Sequence, residues 1–251
     1  MIMKTLKEIY EIINNIYPYS LAEEWDNTGI ECGRLDSPVE KILVSLDITN
    51  EVIEEADKQG CQLIVSHHPL VFSKLSNVTD ISYPENAVIS LIEKKICAIS
   101  CHTNLDIAQN GVNDALFEAL ELEDKSELPI GKIGTSKIND FKEFALFVKK
   151  ALGCDSVRCV DSNKKVSKVA VIGGAGGSEI ENAVINGADT IVTGEIKYNV
   201  LIYCQQMGIN AIDAGHFHTE RVVLPYLTKA LKQATGLEII QSNQQSCYFN
   251  I

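Results

Sequence analysis

Hydrophobic and polar positions follow two periods along the chain, and these periods predict alternating strands and helices. Short apolar runs bounded by polar residues or glycine are typical of buried strands, and apolar residues spaced three or four apart are typical of amphipathic helices. The pattern predicts strands at residues 41–47, 62–66 and 96–101, and helices at 5–17, 49–59, 84–95 and 113–122. A polar loop is predicted at residues 23–33. Strands that alternate with helices predict an α/β fold with mixed, largely parallel sheets.

Part of the first half of the chain recurs in the second half. When residues 39–66 are shifted by 127 positions onto 166–193, nine of 28 positions are identical without a gap. This match favours an internal duplication and hence two interlinked, duplicated lobes with a metal site in the cleft between them. We expect the first lobe at residues 1–125, completed by 221–251, and the second at 126–220. The boundary is predicted in the polar region 123–136.

Histidine is concentrated in three short clusters that follow apolar runs. The candidate metal ligands in these clusters are His67, His68, His102, Asp106, His216 and Glu220. In α/β folds ligand sites collect at the carboxyl ends of strands, where the first two clusters are predicted. If a helix begins near Gly215, His216 and Glu220 lie at i and i+4 on one face. His218 is expected to point elsewhere.

This donor set favours a two-metal site. It combines imidazole and carboxylate without thiolate, which suits Zn, Fe, Mn, Co or Ni better than Cu(I). Two or three histidines with two carboxylates exceed a closed single zinc site and fit two ions with open positions. Taken singly, each motif has another interpretation: a packed or surface histidine pair at 67–68, a turn or helix cap at Asp106, and an ordinary helix-face pair at 216 and 220.

Three further features of the sequence bear on the site. The glycine-rich run 173–177 follows a predicted strand, so its amides could cradle a phosphate or form a tight strand–helix turn. Lys197 could meet an anionic substrate or lie in solvent. Trp25 is the only tryptophan, and its ordinary interpretation is a packing anchor for the N-terminal loop.

Composition narrows the class of protein. The net charge is −12, which opposes a broad nucleic-acid-binding surface. No apolar run is long enough for a membrane span, and the first ten residues lack the pattern of a signal peptide, so we expect a cytoplasmic protein. The eight cysteines are scattered without a CxxC pair, which predicts reduced, structural thiols.

Taken together, the motifs resemble the Nif-three-like dinuclear-metal family, whose bacterial members are often labelled GTP cyclohydrolase I type 2. The resemblance runs in order through Glu24–Gly29, Ser45–Asp47, Ser66–Leu70, His102–Asp106, Gly173–Gly176, Thr193–Glu195 and Gly215–Glu220. It implies two divalent metal ions per chain, with Zn, Fe or Mn expected, held by His67, His68, Asp106, His216 and Glu220. It also implies self-association into a toroidal homohexamer.

The activity implied by the resemblance is ring opening of GTP with release of formate by a metal-dependent hydrolase. His102 is the candidate for proton transfer or substrate positioning. Candidate substrate-binding residues are Asp26, Asp47, Gly174, Glu195 and Lys197. Two alternatives stay open, a two-metal phosphoesterase and a non-enzymatic metal-binding or regulatory assembly protein. We expect a small-molecule, nucleotide-like substrate and no nucleic-acid or membrane partner.

Overall fold

The chain folds into two compact units of α/β structure. The computed structural model describes residues 2–250. The first unit comprises residues up to 108 together with 224–245, and the second comprises 109–223 together with the residues from 246 onward. Among the described residues, no helix combines the length and the apolarity that a membrane span requires.

The strands are short and most of them are apolar. In chain order they are β1 Lys4–Thr5, β2 Gly29–Cys32, β3 Pro38–Val39, β4 Lys41–Ser45, β5 Leu63–Ser66, β6 Cys97–Ser100, β7 Glu123–Glu127, β8 Lys132–Thr135, β9 Arg158–Val160, β10 Lys168–Ile172, β11 Thr190–Thr193, β12 Asn210–Asp213 and β13 Glu238–Gln241.

Helices connect the strands in both units. They are α1 Leu6–Ile16, α2 Asn50–Gln59, α3 Glu85–Lys94, α4 Thr103–Ile107, α5 Val112–Ala119, α6 Phe141–Leu152, α7 Ile180–Ile185, α8 Tyr198–Met207, α9 His216–Glu220 and α10 Leu224–Thr235. The predicted helix 49–59 ends as its sequence requires, since Thr49 caps its N-terminus and Gly60 adopts a left-handed conformation at its C-terminus.

The first unit contains a five-stranded sheet in the order β13-β4-β5-β6-β2. All neighbouring pairs are parallel except β2, which pairs antiparallel with β6. Leu43, Ile64 and Ala98 contribute the centre of its core, packed under α2 and α3. The strand β2 falls within the predicted loop 23–33, so that prediction is wrong for its last residues. A four-residue strand with half-exposed positions gives little periodic signal.

The second unit contains a six-stranded sheet in the order β7-β8-β10-β11-β12-β9. Its three central strands are parallel and its outer strands are antiparallel to their neighbours. Val169 and Val171 of β10 belong to one buried apolar cluster, and Ala170 and Ile172 to another. Because successive side chains of a strand point to opposite faces, both faces of this sheet are covered. The prediction of an α/β fold with mixed sheets, parallel at their centres, is confirmed.

The boundary between the units differs from the one expected near residue 125. Leu116 and Phe117 of α5 pack in the same apolar cluster as Val169 and Val171, so α5 belongs to the second unit. The polar region 123–136 forms β7 and β8 of the second sheet. β7 is an edge strand of polar sequence, and every residue in it is exposed.

The two units contain strand pairs of the same register. Ile42 lies opposite Leu63 in the first unit, and Val169 lies opposite Thr190 in the second. Both partners are displaced by the 127 residues that separate the repeated segments. Each unit therefore places the residues that follow its parallel strands at one edge of its sheet.

Candidate metal centre

Three parallel strands of the first unit end in register, which brings the residues after them together. Ser45 of β4 lies opposite Ser66 of β5, and Ser66 lies opposite Ser100 of β6. The Ser45 hydroxyl donates to the carbonyl of Asp47, and the Ser66 hydroxyl donates to the carbonyl of His68, both at 2.8 Å. Serine side chains commonly close such turns onto their own backbone. The two strand ends thus turn in the same way, and Asp47 and His68 become neighbours.

The His68 ring is oriented by the Asp47 carboxylate. His68 Nδ1 lies 2.8 Å from Asp47 Oδ1. The other oxygen, Asp47 Oδ2, accepts a hydrogen bond from Gln244 Nε2 at 2.9 Å, and Gln244 Oε1 accepts the backbone N–H groups of Leu46 and Asp47. Asp47, which the sequence suggested as a substrate-binding residue, therefore lies behind a histidine as its hydrogen-bond partner.

His67 is fully buried and is fixed by a backbone carbonyl. Its Nδ1 lies 2.9 Å from the carbonyl oxygen of Cys101. A carbonyl can only accept, so Nδ1 carries the proton and Nε2 carries the lone pair. His67 Nε2 lies 3.7 Å from Asp106 Oδ1, which α4 positions. The structure thus brings together two of the residues predicted as ligands.

His102 stands at the N-terminus of α4 and is oriented by Asp26. His102 Nδ1 lies 2.8 Å from Asp26 Oδ1, and Asp26 Oδ2 accepts hydrogen bonds from the backbone N–H and the hydroxyl of Thr103. Burial raises the pKa of Asp26, but the hydrogen bonds from His102 and Thr103 outweigh it and lower the pKa to about 2. Asp26 is therefore an ionised acceptor at neutral pH, and it favours the tautomer with the proton on Nδ1.

His67, His68 and His102 form a group that suits a metal ion; we call it the first-unit histidine group. One ring nitrogen of each lies within 4.8 Å of the others. Each Nδ1 faces an oxygen acceptor: the Cys101 carbonyl, the Asp47 carboxylate or the Asp26 carboxylate. Metal-binding histidines typically use one nitrogen on the ion and donate the other to such an acceptor. The residues present therefore fit a bound divalent cation. From the sequence, His102 counts among the candidate donors of the three clusters, but the five predicted ligands leave it out and it is predicted to move a proton or position the substrate instead.

In the second unit, His216 and Glu220 form a pair at the two ends of α9, which we call the second-unit pair. His216 Nε2 lies 3.1 Å from Glu220 Oε1, and His216 Nδ1 lies 3.3 Å from Glu195 Oε2. Gly215 is the N-cap of this helix, which runs from His216 to Glu220, so the predicted i, i+4 relation is confirmed. Glu195 is exposed and Glu220 is buried. The arrangement repeats that of His67, whose Nδ1 faces an oxygen acceptor while its Nε2 faces a carboxylate.

Gly174 and Gly194 leave room for the second-unit pair. A Cβ at Gly174 would overlap Glu220 Oε1 and lie 3.0 Å from His216 Nε2, and the Gly174 φ is +61°. A Cβ at Gly194 would lie 2.6 Å from the Cα of His216. Glycine is the residue that tolerates both the positive φ and the close approach. The structure thus places Gly174 directly against the acidic and imidazole groups.

The glycine-rich run 173–177 forms a tight strand–helix turn. The amide of Gly173 donates to Asn113 Oδ1 at 2.8 Å, the amide of Gly174 to Thr219 Oγ1 at 3.1 Å, and the amide of Gly176 to Thr193 Oγ1 at 3.0 Å. These three N–H groups are already satisfied by the protein. The geometry therefore favours the turn over a phosphate cradle.

Lys197, His218 and Trp25 lie outside the groups described above. Lys197 is exposed at the N-cap of α8. The His218 ring packs edge-on against Phe217, and in the described residues His218 belongs to no group that could hold a metal. Trp25 is 61% exposed, so the packing-anchor interpretation does not describe it.

Sequence reasoning missed Glu31, a partly buried carboxyl group on β2. Its Oε2 accepts the backbone N–H of Val71 at 2.7 Å, three residues beyond His68. Burial raises the pKa of Glu31 to about 7, although the Val71 hydrogen bond opposes the change. Glu31 lies on β2, beside β6, and this strand was not predicted because four residues give too little periodic signal.

The chain is similar over nearly its whole length to known proteins. The family model for Duf34/NIF3 (NGG1p interacting factor 3) matches residues 4–247. A Clostridium perfringens protein named GTP cyclohydrolase 1 type 2 homolog is 36% identical over 245 residues, covering 93% of this chain and 94% of the relative. A Helicobacter pylori protein named GTP cyclohydrolase 1 type 2 is 31% identical over 220 residues, covering 87% and 88%.

The structure has the same close likeness to a solved protein. The crystal structure of the Staphylococcus aureus hypothetical protein SA1388 superposes with a TM-score of 0.92 at 27% sequence identity, covering 98% of this chain and 99% of that one. The family match and the curated relatives both extend across the segments that carry the histidine and acidic groups. The chain belongs to the Duf34/NIF3 family.

Proposed function

We propose that this protein is a dinuclear-metal-dependent hydrolase that opens the imidazole ring of GTP and releases formate. The proposed ligands of two divalent ions are His67, His68, Asp106, His216 and Glu220. The observation that carries the metal proposal is the set of oxygen acceptors at Nδ1 of His67, His68 and His216. Even without a bound ion, these acceptors hold each imidazole in the tautomer that a metal ion requires. The side chains therefore need little rearrangement when an ion binds.

The donor chemistry limits which ions fit. The proposed set contains three imidazoles and two carboxylates and no thiolate, which favours Zn, Fe or Mn. Bound divalent ions would supply Lewis acidity, which lowers the pKa of a coordinated water and polarises a substrate oxygen or ring. The first-unit donors are largely buried, with His67 fully excluded from solvent. Low solvent access strengthens electrostatic interactions at such a site.

His102 is proposed as the residue that moves a proton during the reaction. Its Nδ1 is held by the ionised Asp26, so Nε2 is the basic atom. The Asp26 carboxylate also keeps the ring in one orientation while Nε2 takes and returns a proton. We propose the same positioning role for three carboxylates. Asp26 orients His102, Asp47 orients His68, and Glu195 orients His216.

GTP is proposed from the likeness to relatives whose names carry that activity. Hydrolysis at the guanine ring releases formate, whereas hydrolysis at a phosphoester releases phosphate. The two products therefore separate the cyclohydrolase from a two-metal phosphoesterase that would use the same metal ligands.

The experiment incubates metal-loaded full-length protein with GTP and measures formate and phosphate in the same sample. We expect formate in proportion to the enzyme, and its loss in His216→Ala. His218→Asn is the matched control, because it changes a histidine of the same short helix outside the metal-binding groups. Phosphate without formate would replace the proposal by a phosphoesterase. Neither product from a metal-loaded protein would favour a metal-binding assembly protein.

A further inference from the structure

Two large aromatic side chains stand exposed beside the first-unit histidine group. Trp25 is 61% exposed and Phe72 is 55% exposed. The Trp25 ring centroid lies 6.1 Å from that of His102, and the Phe72 centroid lies 6.2 Å from it. The two aromatic rings contact each other at 5.9 Å with a tilt of 55°. We call them the Trp25–Phe72 pair.

The backbone on both sides of this pair is fixed by hydrogen bonds. Asp26, next to Trp25, is held by His102 and Thr103. The side-chain amide of Asn27 donates to the carbonyl of Val71, next to Phe72, and Val71 N–H donates to Glu31. The segment carrying Trp25 is thus tied both to the start of α4 and to the segment carrying Phe72. These hydrogen bonds hold the backbone next to both rings in place, so the rings are exposed on an ordered surface.

Exposed aromatic faces beside a chemical site are suited to bind planar rings. Leaving such large apolar surfaces in water is unfavourable unless another surface covers them. Stacking of a nucleobase on an aromatic side chain contributes about 1–3 kcal/mol, and it needs only a π-face. Because Trp25 and Phe72 are tilted against each other, a ligand ring would stack on an exposed face of one of them and meet the other at its edge.

We propose that the Trp25–Phe72 pair is the stacking subsite for the planar heteroaromatic ring of the molecule that is processed at the histidine group. This inference rests on the proposed function, because it takes the ligand to be a nucleotide. Both rings border His102, the residue proposed to move a proton, so a ring stacked here lies beside that imidazole. An aromatic face selects a planar ring without distinguishing among purines, so ATP and GTP bind here with similar affinity.

Trp25 provides its own signal for the test, because it is the only tryptophan in the chain. Metal-loaded full-length protein is titrated with GTP, with ATP and with inorganic tripolyphosphate while tryptophan fluorescence is recorded. We expect both nucleotides to quench the fluorescence and tripolyphosphate to leave it unchanged. Equal quenching by tripolyphosphate would mean that the phosphates are sensed, which would overturn the stacking subsite.

Variants at Phe72 test the second ring by equilibrium dialysis of GTP. Removing a stacking ring weakens binding by about 5- to 150-fold, so we expect a loss of this size in Phe72→Ala and recovery in Phe72→Tyr. Phe249→Ala is the matched control, since Phe249 is a 75% exposed phenylalanine in the other unit. Phe72→Ala with the affinity of the unchanged protein would overturn the inference, as would the absence of GTP binding.

The outcomes for the subsite and for the reaction are separable. Nucleotide quenching that depends on Phe72, without formate release, would support the subsite and refute the cyclohydrolase. Formate release whose KM for GTP is the same in Phe72→Ala would refute the subsite and keep the reaction.

Discussion

Replacement of Glu31 by glutamine should change how the stability of the first unit depends on pH. Burial raises the pKa of Glu31 from 4.5 to about 7. Between these two values the folded state holds a proton that the unfolded state has lost, so stability falls as the pH rises through this window. At about 1.4 kcal/mol per pH unit, the free energy of unfolding decreases by about 2 to 3 kcal/mol from pH 5 to pH 8 because of this group alone. Glutamine keeps the shape and the oxygen that accepts the Val71 N–H, but it carries no charge.

The assay is urea unfolding of chelator-treated protein at several pH values, followed by circular dichroism and by the fluorescence of Trp25, which lies in the same unit as Glu31. We expect Glu31→Gln to gain stability relative to the unchanged protein as the pH rises from 5 to 8. Glu40→Gln is the control, since Glu40 is exposed. If the stability difference between Glu31→Gln and the unchanged protein stayed constant across this range, the reasoning from burial would be refuted.

The remaining predictions concern the metal-binding groups. Gly174→Ala should reduce metal content, because the added Cβ would displace Glu220 and because the positive φ at this position adds about 1 kcal/mol of strain for alanine. Normal metal content in this variant would contradict the close packing of Gly174 against Glu220. Asp47→Asn should weaken metal affinity about 10- to 100-fold in a competition assay, since the His68 ring loses its charged partner, and unchanged affinity would remove Asp47 from this role. His102→Gln should keep the bound metal but lower kcat by about 100-fold or more at saturating substrate, whereas loss of metal would make His102 a ligand.

The fold was predictable where the apolar pattern is strong. The strands β4, β5 and β6 and the helix α2 follow from apolar runs, the Thr49 cap and Gly60. The short strand β2 and the exposed strand β7 were not predicted, because their residues pair by backbone hydrogen bonds at the sheet edges and not by burial. Pairing of this kind leaves little trace in the pattern of side chains.

The candidate site was predictable in its donors but not in its supporting contacts. Histidines at strand ends gave His67, His68 and the pair of α9. The roles of Asp26 and Asp47 depend on contacts with residues far along the chain, and sequence spacing carries no information on them. The roles of Glu31 and Phe72 likewise depend on contacts with residues distant in the sequence. The toroidal homohexamer and the nature of the partners stay predictions.

The number of metal ions bound per chain decides whether the protein holds a two-metal centre. The measurement is mass spectrometry of the purified full-length protein, before and after reloading with Zn, Mn and Fe, beside a His68→Ala/Glu220→Ala double variant and the His218→Asn control. We predict about two equivalents in the unchanged protein and in the control, and a sharp loss in the double variant. Near-zero metal in the unchanged protein after reloading, or full metal in the double variant, would contradict a two-metal centre.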